Sequence, residues 1–374
     1  MKKKDNFRTW QILACSLLLT AASLLPGPLN GKDRTWTFTS ETVDASTRFT
    51  SLAVDTMGNV HLAYTNEDDR VKYAFRDRST SKWFTTEIDT RASFTAIVLD
   101  EQGNPHLCYT QRTMRYAFWD GKVWHKEEIS PGTGTIAYYC GVAVSSAGVP
   151  HVTWYQERTA QDTNYLHMRH AVLQDGQWMV KTIDWDAQTG KWNSIVLDSE
   201  GNPHISFDAF VSGQLKYASW NGKGWLIKPV DSRAGSDQPG RGMGNCLVLD
   251  RDGRPMISYF EEGALKYARQ LEDGHWSIEI LAPSTVSPTW AGYRSGQALD
   301  SKGFPHVVYE DTGTLRHLYW DGTAWRAQRI EVSGPRRLRY ASIAISKEDI
   351  IYVSYSDHED GSLKVAVGRP TEHN

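Results

Sequence analysis

The stretch from Ser194 to Asp231, SIVLDSEGNPHISFDAFVSGQLKYASWNGKGWLIKPVD, reads as one complete structural unit. A β-rich run, Ser194 to Leu197, stops at Asp198. A turn through Gly201, Asn202 and Pro203 leads into a second run, His204 to Phe207. A loop then reaches Leu215 to Ala218, and Asn221-Gly222 turns the chain into Trp225 and on to Asp231. Four short alternating strands, A to D, separated by Gly- and Asn-bearing turns make one small antiparallel sheet.

The unit recurs. Trp36, Trp83, Trp124, Trp178, Trp225, Trp276 and Trp325 follow one another at gaps of 47, 41, 54, 47, 51 and 49 residues. A period of this size carried by short strands predicts a β-propeller, an all-β ring of four-stranded blades. The turn after strand A begins at Asp55, Asp100, Ser145, Asp198, Asp250, Asp300 and Ser346. A glycine follows three residues later in the first six copies, where a tight turn calls for positive φ; the seventh has Asp349. The last copy lacks strand D, and Trp36 to Asp44 reads as a D strand with nothing before it. Pairing the two closes a seven-bladed ring as one domain over residues 31–370 and leaves no open edge.

Three further columns repeat. Strand B opens with His61, His106, His151, His204 and His306, and three residues on lie Tyr64, Tyr109, Trp154, Phe207, Tyr259, Tyr309 and Tyr355. Five histidines spread around a ring cannot converge on one reacting atom, so they are expected to be structural, bonding across blades. The Trp column is expected to pack blades together. Strand C carries Lys72, Arg115, Arg169, Lys216, Lys266, Arg316 and Lys364, expected to form a solvated or paired edge.

Residues 1–30 stand outside the repeat. A basic start (Lys2, Lys3, Lys4, Arg8) precedes the apolar stretch Ile12 to Leu25, the pattern of a secretory signal peptide. A secreted or periplasmic protein with no membrane span in its mature chain is expected. The whole chain has net charge −3, and removing residues 1–30 leaves about −6, which speaks against a nucleic-acid partner. Cys108, Cys140 and Cys246 have no metal-type spacing and read as buried free thiols. No zinc, calcium or nucleotide motif is present, so no cofactor is indicated.

A residue shared by every blade serves the blade; a polar or aromatic residue that breaks the pattern is a better site candidate. The D-to-A and B-to-C connections share one face of the disc, and the pattern breaks there. The residue six before each A-strand turn is Phe49, Phe94, Tyr139, Trp192, Gly244, Arg294 and Tyr340. Its predecessor is Arg48, Ser93, Tyr138, Lys191, Met243, Tyr293 and Arg339. With A innermost, both columns line the channel mouth. The B-to-C loops bring Glu157, Asp208, Glu261, Glu262, Glu310, Asp311 and Asp357 to the same rim, and Arg241 and Trp290 sit in long D-to-A loops. Aromatic platforms beside cations and carboxylates suit a carbohydrate ligand; the competing reading is that the aromatics plug the channel.

The run Asp198 to His204 (Asp-x-x-Gly-Asn-Pro-His), nearly repeated at Asp100 to His106, resembles repeats of secreted bacterial seven-bladed propellers loosely grouped with the sialidase-like type, although the Asp-box Ser-x-Asp-x-Gly-x-x-Trp is absent. The resemblance implies a scaffold that includes polysaccharide lyases, glycosidases and lectins. For an enzyme, Tyr139, Tyr340 and Tyr293 are the candidate acid/base tyrosines and Glu261 and Glu310 candidate catalytic carboxylates. Arg48, Tyr138, Glu157, Lys191, Trp192, Arg241, Trp290, Arg294 and Arg339 are the candidate substrate contacts. The alternative is a non-catalytic glycan-binding module or a protein-interaction scaffold.

Overall fold

The computed structural model describes residues 35–129, 135–158, 166–186, 188–232, 243–261, 263–283, 295–332 and 338–371. Seven four-stranded antiparallel sheets form, each with its strands in sequence order except the last. Blade 1 runs from Phe49 to Asp89, blade 2 from Ser93 to Glu128, blade 3 from Thr135 to Asp184 and blade 4 from Thr189 to Ser232. Blade 5 runs from Met243 to Ala282, blade 6 from Gly296 to Val332 and blade 7 from Leu338 to Pro370. The N-terminal strand, Trp36–Asp44, is the fourth strand of blade 7, pairing Trp36 with Pro370 and Asp44 with Leu363. The ring closes as the sequence predicts.

The repeated turn has a single chemical centre. One oxygen of Asp198 accepts the backbone N–H groups of Glu200 and Asn202, at 2.9 and 2.8 Å, and the other accepts Asn202 Nδ2 at 3.1 Å. That same oxygen faces His204 Nε2 at 3.4 Å. His204 Nδ1 in turn meets the hydroxyl of Tyr217 on strand C. The chain Asp–His–Tyr recurs as Asp55–His61–Tyr73 and Asp100–His106–Tyr116. The histidines are structural, but they bond within their own blade, not across blades. Strand B and strand C are neighbours, so the imidazole reaches the adjacent strand before it can reach the next sheet.

The ring so anchored makes the contact between blades. Trp124 of blade 2 meets Tyr73 of blade 1 edge-on at 5.1 Å. Trp178–Tyr116, Trp225–His170, Trp276–Tyr217, Trp325–Tyr267 and Trp36–His317 repeat that geometry at 5.0–5.6 Å. At the remaining joint Trp83 packs against the cluster containing Val365 and Val367. A second joint lies nearer the loop-rich face. Tyr64, Tyr109 and Tyr259 donate to Asp44, Asp89 and Asp231 on the preceding blade's last strand, at 2.6, 2.8 and 2.6 Å. The strand C cations join these pairs: Lys72 bonds Asp44 at 2.7 Å and Lys216 bonds Asp184 at 2.8 Å. They form a paired edge. The three cysteines are free thiols; Cys108 and Cys140 are buried and Cys246 is half-buried. Among the described residues no helix is long and apolar enough to cross a membrane.

Closure rests heavily on Trp36, which is 7% exposed, touches His306, His317 and Tyr319, and donates its indole N–H to the Asp349 carbonyl at 2.9 Å. Trp36→Ala is expected to cost about 3–5 kcal/mol in urea unfolding monitored by far-UV circular dichroism. Blade 3 should contribute to the acid limb of stability. Burial pushes the pKa of His151 down to about 4, and burial, then His151 and Lys181, push that of His170 down to about 3. Both lie below the unfolded value, so the unfolded chain takes up more protons once pH falls below about 6.5. Stability is therefore full above that pH and declines as pH drops toward the folded values. His170→Tyr, installing the residue of blades 1, 2 and 4, is expected to shrink the fall in Tm between about pH 7 and pH 4.5, read by scanning calorimetry.

Candidate functional site

The innermost strands open with an irregularity shared by most blades. Phe94, Tyr139, Trp192, Gly244 and Tyr340 all hold positive φ, between 39° and 59°, at β-bulges that interrupt pairing with strand B. Left-handed backbone in bulky residues costs about 1–2 kcal/mol each and needs support from its surroundings. The next blade supplies it. Asn193 Nδ2 donates to the Tyr139 carbonyl, Asn245 Nδ2 to that of Trp192, and Ser295 Oγ to that of Gly244 at 2.9 Å. Below these bonds the strands enclose an axial cavity of about 150 Å³, lined by residues such as Thr50, Ser194 and Ser342.

The bulges turn their rings toward one another. Tyr340, Phe49, Phe94, Tyr139 and Trp192 form a continuous arc with successive centroids 4.4–4.6 Å apart. Five aromatic side chains thus cover much of the mouth of the channel, as the plugging reading expects. Tyr139 and Tyr340 are members of this arc. Arg48 lies beside it, bonded to Asp69 at 2.7 Å and 6.0 Å from the Phe49 ring. Arg339 keeps its Nε buried without a hydrogen-bond partner; burial first, then this cation, depress the pKa of nearby His358.

Beyond the arc, between blades 3 and 4, several predicted residues do come together. Strand pairing sets Tyr138 opposite Tyr155, Ile136 opposite Glu157, and Lys191 opposite Asp208. The Lys191 ammonium lies 4.2 Å from the centre of the Phe210 ring and 5.4 Å from that of Tyr155. Burial lowers its pKa, while Asp208 and then Glu157 act in the opposite direction. Neither Lys191 nor Glu157 makes an ion pair among the described residues. Asp208 is fully buried and neither carboxylate oxygen receives a hydrogen bond. Burial drives its pKa well above the usual carboxylate range, with Lys191 offering partial relief. Burial and the Glu157 charge also raise the Tyr138 and Tyr155 hydroxyls.

The other candidates are placed differently. Glu261 is buried and ion-paired to Lys266, and Glu310 accepts the Gly313 N–H in a tight strand B-to-C turn. Arg241, Trp290, Tyr293 and Arg294 lie outside the described residues, as does Glu262. Among the described residues no group of three or more His, Cys, Asp or Glu side chains could hold a metal ion. Asp208 belongs among the chief site candidates. The sequence signal for it is the neighbouring Phe207, which replaces the Tyr that in blades 1, 2, 5 and 7 bonds a preceding blade's carboxylate.

No protein-family model and no curated protein sequence matches the chain. Solved structures do. A protein of unknown function from Dyadobacter fermentans is 10% identical with a TM-score of 0.57, over 89% of this chain and 99% of its own. The fucose-recognising lectin of Aleuria aurantia, a six-bladed propeller, is 13% identical with a TM-score of 0.53, over 79% and 99%. The propeller domain of Cps50 (Swd1) from Myceliophteria thermophila is 11% identical with a TM-score of 0.55, over 88% and 99%. These likenesses establish the fold.

A buried carboxyl with no donors destabilises the native state at neutral pH, since its folded pKa exceeds the unfolded one. Asp208→Asn is expected to stabilise the ligand-free protein by about 1–3 kcal/mol, read as a raised Tm in calorimetry at about pH 7. An unchanged or lower Tm would mean that the carboxyl contributes to folding.

Proposed function

We propose that the protein recognises a carbohydrate at the rim between blades 3 and 4, acting as a binding module. One observation carries this reading: Lys191, Glu157 and Asp208 sit together without protein partners, against the rings of Tyr138, Tyr155 and Phe210. Asp208 is buried and unsatisfied, which is unusual inside a fold, and the half-buried Lys191 and Glu157 beside it leave room for an outside partner. Aromatic faces suit the C–H side of a pyranose, and a cation beside a carboxylate suits its hydroxyls or an acidic substituent. The lectin named above lends support by analogy of fold alone. Export directed by residues 1–30 places such a module where it meets extracellular glycans; mass spectrometry of protein from the culture or periplasm, showing the leader removed, tests that.

A second reading is a polysaccharide lyase or glycosidase at the same rim. It is favoured by the raised pKa of Asp208, which shifts it toward the protonated form near the Tyr155 hydroxyl. Reducing-end release and unsaturated-uronate absorbance on acidic and neutral polysaccharides separate the two readings: turnover selects the enzyme, saturable binding without turnover the module.

The binding reading is tested with purified protein on a glycan array. Saturable binding by the wild type is expected, weakened at least about tenfold in Lys191→Ala with Tm unchanged, which corresponds to about 1.4 kcal/mol. Equal binding by wild type and Lys191→Ala would remove the rim from consideration.

A further inference from the structure

The opposite face, made by the short A-to-B and C-to-D turns, carries a groove of about 820 Å³ between the same two blades. Its origin is a local failure of the repeat. Blades 1 and 2 set a phenylalanine of strand C beside the strand B imidazole, Phe75 edge-on at 5.2 Å and Phe118 stacked at 5.9 Å. Blade 3 has Val172 at that position and His170 in place of the usual tyrosine. It also has Ser145 where blades 1, 2, 4 and 6 place the turn aspartate that faces the histidine. The first two substitutions remove volume, and the third removes a partner.

What remains is an imidazole pair. His151 Nδ1 and His170 Nε2 are 3.1 Å apart and share one hydrogen bond. His151 Nε2 and His170 Nδ1 have no protein partner. Burial keeps both rings uncharged at neutral pH. A neutral imidazole has one donor and one acceptor nitrogen, so the shared bond fixes the outer pair. If His151 donates inward, its Nε2 is an acceptor and His170 Nδ1 a donor; if His170 donates inward, the roles reverse. Either tautomer pair offers one donor and one acceptor. That is the complement of hydroxyl groups. A carboxylate or phosphate, which only accepts, and an ammonium, which only donates, each satisfy half of it.

The walls fit the same chemistry. Trp220 and Trp225 meet at 66° with centroids 5.7 Å apart, forming an aromatic corner. Trp225 also stands edge-on to His170 at 5.2 Å. Lys181 Nζ lies 5.6 Å from the Trp220 ring, and Glu200 and Asn202 line the groove from blade 4. The volume lies within the range of small-molecule sites.

We propose that this groove is a second binding site, specific for a neutral saccharide unit whose C–H face packs in the Trp220–Trp225 corner and whose hydroxyls engage the outer nitrogens of His151 and His170. It depends on none of the rim residues, so it stands or falls separately from the rim. Filling the groove with a residue the fold already uses at this position supplies the test.

Full-length protein labelled with ¹⁵N-tryptophan is titrated with the methyl glycosides of glucose, galactose, mannose and fucose. The indole resonances are assigned with Trp220→Phe and Trp225→Phe. At least one glycoside is expected to shift the Trp220 and Trp225 indoles saturably, and Lys191→Ala is expected to leave those shifts intact. Val172→Phe, which places the phenylalanine of blades 1 and 2 in the groove, should weaken binding at least about tenfold. Ser145→Asp, which gives His151 Nε2 the carboxylate it has in other blades, should do the same and serves if Val172→Phe fails to fold. No indole shift with any of the four glycosides, or the same affinity in whichever folded groove variant is obtained, overturns the proposal.

Discussion

An indole edge set against the ring of the preceding blade is the contact on which the circle depends. A closed ring of seven sheets tolerates little variation between joints, because each angular error adds to the next. Six joints use the same edge-on pair within a centroid range of 5.0–5.6 Å. Such a pair contributes about 0.5–1.5 kcal/mol beyond the area it buries, and its geometry is directional. The ring that receives the indole must itself be held still. The Asp–His–Tyr chain does this inside blades 1, 2 and 4, tying the turn after strand A to the middle of strand C. The turn motif, the histidine column and the tryptophan column are therefore one device seen at three positions in the sequence.

That device explains where function is affordable. Blade 7 keeps neither the His nor the Tyr, yet its joint is packed by Trp83 against valines. Blade 6 has the same imidazole pair, His306 and His317, with both outer nitrogens lacking hydrogen bonds, but there Asp300 faces His306, Tyr319 stacks on it and the nitrogens are buried. Blade 3 combines a lost turn carboxylate, a smaller ring and a missing phenylalanine while keeping the strand B histidine; blade 7, with Ser346, Val365 and Val367, has lost the histidine as well. One changed column can be absorbed by its neighbours; three in one blade leave space and unpaired nitrogens together.

Much of the architecture was legible because it is repetitive. The Trp period, the Asp-x-x-Gly turns and the split last blade each repeat or complement one another, and the strand order follows from them. The channel-mouth column was legible as a variable aromatic set. Its left-handed backbone was not, because bulky residues such as Trp192 and Tyr340 give no warning of positive φ. The histidines were read as structural, but their partners were assigned to the wrong side, since sequence spacing does not say which neighbour an imidazole faces. Asp208 shows another limit. It follows Phe207 on strand B, and alternation would turn one of the two outward. Here both are buried, because each face of the blade packs against a neighbouring blade. A carboxylate that reads as a rim residue of the B-to-C loop is in fact enclosed on strand B.

The two faces of the blade 3–4 joint differ in what they leave unsatisfied, and the difference bears on what each can recognise. On the loop-rich face the orphaned groups are a lysine and two carboxyls, whose charges interact strongly at low local dielectric and respond to ionic ligands. On the turn face they are neutral imidazole nitrogens, whose donor and acceptor are matched to hydroxyls and indifferent to net charge. An unsatisfied buried polar group costs about 1–3 kcal/mol. Such groups recur around the ring, among them His61 Nε2, Gln297, His306 Nε2 and Arg339 Nε. What sets the blade 3–4 joint apart is that its unpaired imidazole nitrogens belong to residues lining an open groove, where a ligand can reach them.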